Sequence, residues 1–311
     1  MDKLKNWKGA FFFILILNLA FFGWFFGIRD DSFADFKNEH PLIDPSRSFI
    51  DQKNFIINLQ PLRIELRKLV AEQKNKDISL YFEFLNTGAN IAINQDIKVW
   101  PASFPKLPVA MAVVKKVEKG IWSFNQEFEL LEQDKDNHYG FLFNQPAGTK
   151  FKLEELLKYI LVYSDNTAYK ILLRNLSDEE LNEVTTDLGL EELFTSEGLV
   201  SAKEYSRLFR SLYTSSFLKR ENSEKILNFL GHTELKNFLA QGIPNGVFFS
   251  HKFGIDRANH SYLDSGLVFV PNRPYLITVA IRGLGAPGEE GEINDFMKSV
   301  GELTYKYISE Y

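Results

Sequence analysis

An α+β architecture follows from three features of this 311-residue sequence. Two short β-patterned runs precede a long stretch of helical periodicity. Three further β-patterned runs follow that stretch. A helical segment stands before the first run and after the last. Two strands before an insertion and three after it can close into one antiparallel five-stranded sheet. The N- and C-terminal helices would then pack on a face, and the insertion would form an all-helical lobe.

The elements follow in order. Lys3, Lys5 and Lys8 precede Ala10–Ile28, a run in which Asn18 is the only strongly polar side chain. About 20 apolar residues span a bilayer as a helix. The lysines on one side, and Asp30 and Asp31 on the other, predict a cytoplasmic tail (1–9), a single-pass anchor (10–28) and an extracytoplasmic remainder. A cleaved signal peptide competes, with Ser32 and Ala34 as a small-residue site. The run is long and aromatic for that, so an uncleaved anchor in the cell membrane is expected. Residues 29–50, with Pro41 and Pro45, read as a linker. Residues 51–311 form the folded domain.

Phe55–Ala71 carries Ile56, Leu59, Leu62, Ile64, Leu66 and Leu69, mostly at helical spacing. Ile78, Leu80, Phe82 and Phe84 alternate with Ser79, Tyr81 and Glu83. Asn86-Thr87-Gly88 turns the chain and Asn90–Asn94 returns, which makes a hairpin. Next comes Pro101–Gly120. Leu107–Val114 is apolar on every side, so this helix belongs inside the protein. Ser103 and Lys106 stand at its mouth, three residues apart and hence on one face. Pro105 suits a first helical turn. Pro108 leaves one carbonyl without its usual donor.

From Leu153 the apolar residues Leu156, Leu157, Ile160 and Leu161 continue an amphipathic helix to about Tyr163. Thr167–Leu176, Asp178–Leu188, Ser201–Tyr213 and Ser223–Leu230 read as further helices. The helical lobe therefore spans about 103–240. Val247–Phe253, Tyr262–Val270 and Tyr275–Ile281 read as strands, with a tight turn at Pro271–Pro274. Ile293, Phe296, Met297, Val300, Leu303 and Tyr307 mark the last helix.

Composition narrows the chemistry. Hydrophobic content of 45% and charged content of 25% are those of a globular protein. A net charge of −5 gives no support for nucleic-acid binding. The chain has no cysteine, so disulfides and thiolate metal sites are excluded. His40, His138, His232, His251 and His260 are scattered without metal-ligand spacing. No metal and no cofactor are expected.

Three polar motifs interrupt the apolar pattern. They are Ser103-x-x-Lys106, Ser164-Asp165-Asn166 between two helices, and His251-Lys252-Phe253-Gly254 on the third strand. Taken singly, each has a plain structural explanation: an N-capping serine with a snorkelling lysine, a capping triplet, a solvated strand lysine. Taken together and in this order, the sequence resembles the class A β-lactamases and related penicillin-binding proteins, whose signatures are S-x-x-K, S-D-N and K-T-G. KLPVAMAVVKKVEKG, GTKF-x-LEELL, LVYSDNTA and DSGLVFVPNRPYLITVAIRG extend the resemblance from about Ile78 to the C-terminus. It does not include the anchor.

The resemblance implies a serine acyl-transfer enzyme. A serine hydroxyl needs a base beside it. Lys106 can serve only with a neutral amine, which burial and a second cation, Lys252, would favour. Ser103 would be the nucleophile, and Ser164 would relay a proton to the leaving nitrogen. Asn166 and Lys252 would hold substrate. The backbone N–H groups of Ser103 and Ile255, with Gly254 between motif and strand, would form the oxyanion hole. Losing one such donor typically costs about 3–4 kcal/mol of barrier. The expected substrates are β-lactams or D-alanyl peptides of the cell wall.

Two departures qualify this. Phe253 stands where the family has a hydroxylated residue that helps bind the substrate carboxylate. Arg257 is the nearest candidate substitute. Class A β-lactamases also carry a water-activating glutamate after S-D-N, but the interval from Asn166 to Ser201 is shorter here. Glu180 lies too early, and Glu197 is the nearest candidate. Slow deacylation is therefore expected. Two alternatives stand beside β-lactam hydrolysis: a D,D-carboxypeptidase of peptidoglycan metabolism, and a non-catalytic domain that binds wall fragments or a partner.

Overall fold

The five β-patterned runs form the strands β1 (Asp77–Phe84), β2 (Ala89–Ile93), β5 (Phe249–Asp256), β6 (Ser261–Val268) and β7 (Tyr275–Arg282). They pair into one antiparallel sheet in the order β2-β1-β7-β6-β5. The first hairpin and the last three strands join through β1 and β7, whose register sets Leu80 opposite Val279. This is a computed structural model, and it describes residues 11, 13–19, 21, 40–43, 54, 56–195 and 198–310.

Period-two alternation gives the sheet two buried faces. Ile78, Leu80, Phe82, Tyr275, Ile277 and Val279 join one core with residues of α1 (Gln60–Glu72) and α8 (Glu289–Glu310). Tyr81, Leu263, Leu267, Leu276 and Ala280 join the other core, which belongs to the helical lobe. That lobe contains α2 (Lys106–Glu118), α3 (Leu153–Val162), α4 (Asn166–Arg174), α5 (Asp178–Leu188), α6 (Ala202–Thr214) and α7 (Arg220–Gly231). Helix α6 lies against β1, β6 and β7. The terminal helices and the inserted lobe thus sit where the strand pattern expects them.

Some boundaries differ. Helix α1 starts at Gln60, with Pro61 in its first turn, rather than at Phe55. Leu62 and Leu66 face the core, while Ile64 is 55% exposed. A two-stranded ribbon, β3 (Glu127–Glu129) with β4 (Lys150–Lys152), joins α2 to α3. Three-residue strands are too short to show a period.

The chain divides into two units, residues 1–41 and 42–311. In the first, residues 11, 13–19 and 21 are helical. Among the described residues no helix is long and apolar enough to cross a membrane. Residues 10, 12, 20 and 22–28 of the expected anchor lie outside the described residues, as does most of the linker.

Candidate active site

Ser103 does not lie within the helix that follows it. Helix α2 begins at Lys106, with Pro105 as its N-cap. Ser103 occupies the preceding turn, in which the Phe104 N–H donates to the Pro101 carbonyl at 2.8 Å. Ala102 is held at φ +49°, a left-handed conformation uncommon for a side-chain-bearing residue. Such conformations need support from their surroundings. Tyr205 supplies part of it. Pro108, the third residue of α2, lacks the N–H that would reach the Phe104 carbonyl. Tyr205 Oη donates to that carbonyl at 3.0 Å, and its ring stacks on Phe104 with centroids 3.6 Å apart.

Lys106 Nζ donates to Ser103 Oγ at 3.0 Å and to Asn166 Oδ1 at 2.7 Å. Lys106 is 4% exposed. Burial lowers its pKa to about 8, against the opposing pull of Asp165 and Asp136. A buried ammonium loses hydration that two hydrogen bonds replace only in part.

Ser164 also has a left-handed backbone, φ +54°, just before α4. Asp165 fixes this corner. Its Oδ1 caps α4 by accepting from the Ala168 N–H, and its Oδ2 accepts from the N–H groups of Phe141 and Leu142. Gly140 makes the approach possible, because a Cβ there would stand 2.2 Å from Asp165 Oδ2. The loop before α3 is thereby tied to the Ser164 corner.

The strand side arrives with equal closeness. Lys252 Nζ donates to Ser164 Oγ at 2.9 Å and to the Phe253 carbonyl at 2.8 Å. Lys252 is 2% exposed, and burial followed by the nearby Lys106 charge pulls its pKa well below the usual lysine value. At Gly254 a Cβ would stand 2.8 Å from the Ser103 backbone N. Only glycine lets the edge strand β5 press against the Ser103 turn. Ile255 follows directly.

These groups line one cleft of about 760 Å³, together with Asp136, His138, Tyr139, Tyr169, Lys170, Asp256, Arg257 and Glu290. Ser103, Lys106, Ser164, Asn166, Gly254 and Ile255 all border it. Lys252 reaches it through Ser164.

The weaker candidates fare differently. Arg257 borders the cleft and is paired with Glu290: Nε and Nη2 donate to its two carboxylate oxygens at 2.7 and 2.8 Å. Glu197 lies outside the described residues. The Phe253 ring is used in packing, edge-on to Phe238 with centroids 5.8 Å apart. His251 meets Asp264 at 2.9 Å in the interior.

Sequence reasoning missed Asp136. Its carboxylate accepts from Asn166 Nδ2 at 3.2 Å and from the His138 N–H at 3.0 Å, and pairs with Lys170 Nζ at 2.9 Å. Burial would raise its pKa, but these partners hold it well below the usual carboxylate range. The one available signal is the polar run Asp134–His138, upstream of Ser164-Asp165-Asn166. All three carboxylates that border the cleft among the described residues are engaged. Asp136 holds Asn166 and Lys170, Glu290 holds Arg257, and Asp256 accepts from Ala258 and Asn259.

A family model described as the beta-lactamase enzyme family matches residues 61–308. The chain is 23% identical to beta-lactamase VEB-1 of Pseudomonas aeruginosa over 263 residues, covering 76% of this chain and 87% of that protein. The solved structure of PBP-A superposes with a TM-score of 0.73 at 23% identity, covering 81% of this chain and 97% of that one. A variant of PBP-A solved as an acyl-enzyme complex with penicillin G gives a TM-score of 0.72 at 22% identity, covering 81% and 98%. The beta-lactamase of Sphaerobacter thermophilus gives 0.69 at 19% identity, covering 80% and 99%. At these identities the structures report a shared fold.

Proposed function

The chain belongs to the beta-lactamase enzyme family and is a serine hydrolase, and from that premise we propose that Ser103 forms an acyl-enzyme with β-lactams or with D-alanyl peptides of the cell wall, which then hydrolyses slowly. The observation that carries this reading is the Ser103–Lys106–Asn166 contact set facing Lys252–Ser164 across one cleft.

The proposed chemistry uses only these groups. Neutral Lys106 takes the Ser103 proton as Oγ attacks the carbonyl carbon. The resulting oxyanion is held by the N–H groups of Ser103 and Ile255, which the Gly254 approach brings to the same side. The carbon–nitrogen bond breaks, and the leaving nitrogen receives a proton from Ser164 Oγ, which Lys252 replenishes. Asn166 orients Lys106 and offers its amide to the substrate carbonyl.

Deacylation needs a base that activates water. The engaged state of Asp136, Asp256 and Glu290 supports a slow second half-reaction, as does the short interval from Asn166 to Ser201. Such an enzyme is closer to a D,D-peptidase than to an efficient β-lactamase. We further propose that Ala10–Ile28 anchors the enzyme in the cell membrane with the catalytic domain outside, which the flanking lysines and aspartates support.

Stopped-flow kinetics with a chromogenic cephalosporin tests this. The expected trace is a burst of one equivalent per enzyme followed by a slow steady state. Rapid linear turnover without a burst would mean that an efficient water-activating group exists.

A further inference from the structure

The Asn166 amide is gripped from both ends. Its Oδ1 accepts from Lys106 Nζ at 2.7 Å, and its Nδ2 donates to Asp136 Oδ1 at 3.2 Å. A carboxylate only accepts and an ammonium only donates, so a single orientation of the amide satisfies both. The two grips are not equivalent. Lys106 must lose its proton to act as a base, and a neutral amine can accept as well as donate. From that moment Lys106 no longer selects the orientation. Turned over, the amide would donate an N–H to the amine's lone pair, the one that must receive the Ser103 proton. It would also turn its oxygen toward the substrate carbonyl, where an N–H is needed. Asp136 alone remains an acceptor throughout.

Asp136 is held firmly for such a role. It belongs to the loop between β3 and β4, and its side chain is 13% exposed. Oδ1 also accepts from the His138 N–H at 3.0 Å and meets His138 Nδ1 at 2.9 Å, while Oδ2 pairs with Lys170 Nζ at 2.9 Å. Burial opposes the carboxylate charge, and these partners outweigh it. The backbone is tied separately. The Asp136 N–H donates to Thr167 Oγ1 at 3.0 Å, and that hydroxyl donates to the Asp136 carbonyl at 3.3 Å. The Asn166 N–H donates to the Tyr139 carbonyl at 3.0 Å. The loop thus stays against α4 without help from the Asp136 carboxylate.

We propose that Asp136 is a positioning residue: it fixes the Asn166 amide with its oxygen on Lys106, leaving the lone pair of the neutral amine to Ser103 and one amide N–H to the substrate. The proposal rests on the acyl-enzyme reading of Ser103.

The test is a double-mutant cycle on the full chain with benzylpenicillin as acyl donor. Acylation of Ser103 is followed by mass spectrometry over hours, so that slow variants also give a rate constant. Above pH 9, where Lys106 is mostly neutral, Asp136→Ala is expected to acylate about tenfold slower than wild type, the effect of one hydrogen bond to a charged group. In an Asn166→Ala background the same change is expected to cost less than about twofold, since no amide is left to orient. The pH profile gives a second reading. Asp165 and Asp136 favour the Lys106 ammonium, Lys252 is the nearby cation, and the Tyr169 ring lies 5.7 Å from Nζ. Asp136→Ala removes one of the two anions and frees the amide to donate to the amine. The midpoint of the acylation profile should therefore move to lower pH. A wild-type rate above pH 9 in Asp136→Ala, an equal loss in both backgrounds, or an unmoved midpoint would each overturn the proposal and leave the acyl-enzyme reading standing. Asp136→Ser, too short to reach Asn166, takes the place of the alanine variant should that one not fold. Absence of any adduct on the wild-type protein would overturn the acyl-enzyme reading, and this proposal with it.

Discussion

Lys106 has to satisfy two opposing demands. It must sit close enough to Ser103 Oγ to take a proton, and it must be neutral enough to want one. Its burial meets the second demand by lowering its pKa to about 8. Because the folded value lies below the ordinary lysine value, the base is mostly protonated at pH 7 and mostly free at pH 9. The acylation rate constant should therefore rise about tenfold over that interval and level off above it. A profile flat from pH 6 to 9 would remove Lys106 from the role of base. Lys106→Ala should slow acylation by about 10²–10⁴-fold, measured as label incorporated per unit time. Gly254 makes a second residue-scale demand. In Gly254→Ala the new methyl must push β5 away from the Ser103 turn, since the Cβ would stand 2.8 Å from Ser103 N. Displacement by about 1 Å of one side of the oxyanion hole should cost about 10²-fold in acylation. Wild-type rates in that variant would show that strand and turn need no such approach.

The elements explain why the motifs meet. Ser103 and Lys106 were legible because they lie on adjacent turns, so the sequence spacing alone brings them together. The meeting of Ser164 with Lys252 was not legible from spacing. It depends on the edge strand β5 reaching the corner before α4, 88 residues away in the chain, and came only from the family resemblance. Asp136 and Glu290 escaped notice for the same reason. Asp136 acquires its position through Thr167, whose hydroxyl meets the Asp136 N–H and carbonyl 31 residues away, and Glu290 through a helix 33 residues from its arginine. Pro108 shows the reverse. The carbonyl it leaves unpaired was readable in the sequence, and the structure supplies Tyr205 as its donor. Tyr205→Phe keeps the stacked ring and removes only the hydroxyl. It should destabilise the fold by about 1–3 kcal/mol, read as a lower urea midpoint at unchanged slope. An unchanged midpoint would mean that the Leu107 N–H, which also reaches the Phe104 carbonyl, suffices alone.

At the scale of the molecule, a two-faced sheet divides the labour. One face closes on α1 and α8 and stabilises the frame. The other carries the helical lobe, whose loops deliver Ser103 and Ser164 to the edge of β5. The edge strand is the natural place for the cleft, because its outer side has no neighbouring strand. The proposed anchor belongs to this scale too. Full-length protein expressed in a bacterial host should sediment with membranes and resist a high-salt wash, while a chain lacking residues 1–28 should remain in the supernatant. Full-length protein in the supernatant would exclude the anchor and leave the cleft chemistry untouched.

The central claim is covalent chemistry at one hydroxyl, and intact-protein mass spectrometry addresses it most directly. After incubation with a penicillin, the protein should gain the mass of one penicilloyl group, located by peptide mapping on Ser103 and missing from Ser103→Ala. An unmodified mass, or an adduct that survives in Ser103→Ala, would contradict it.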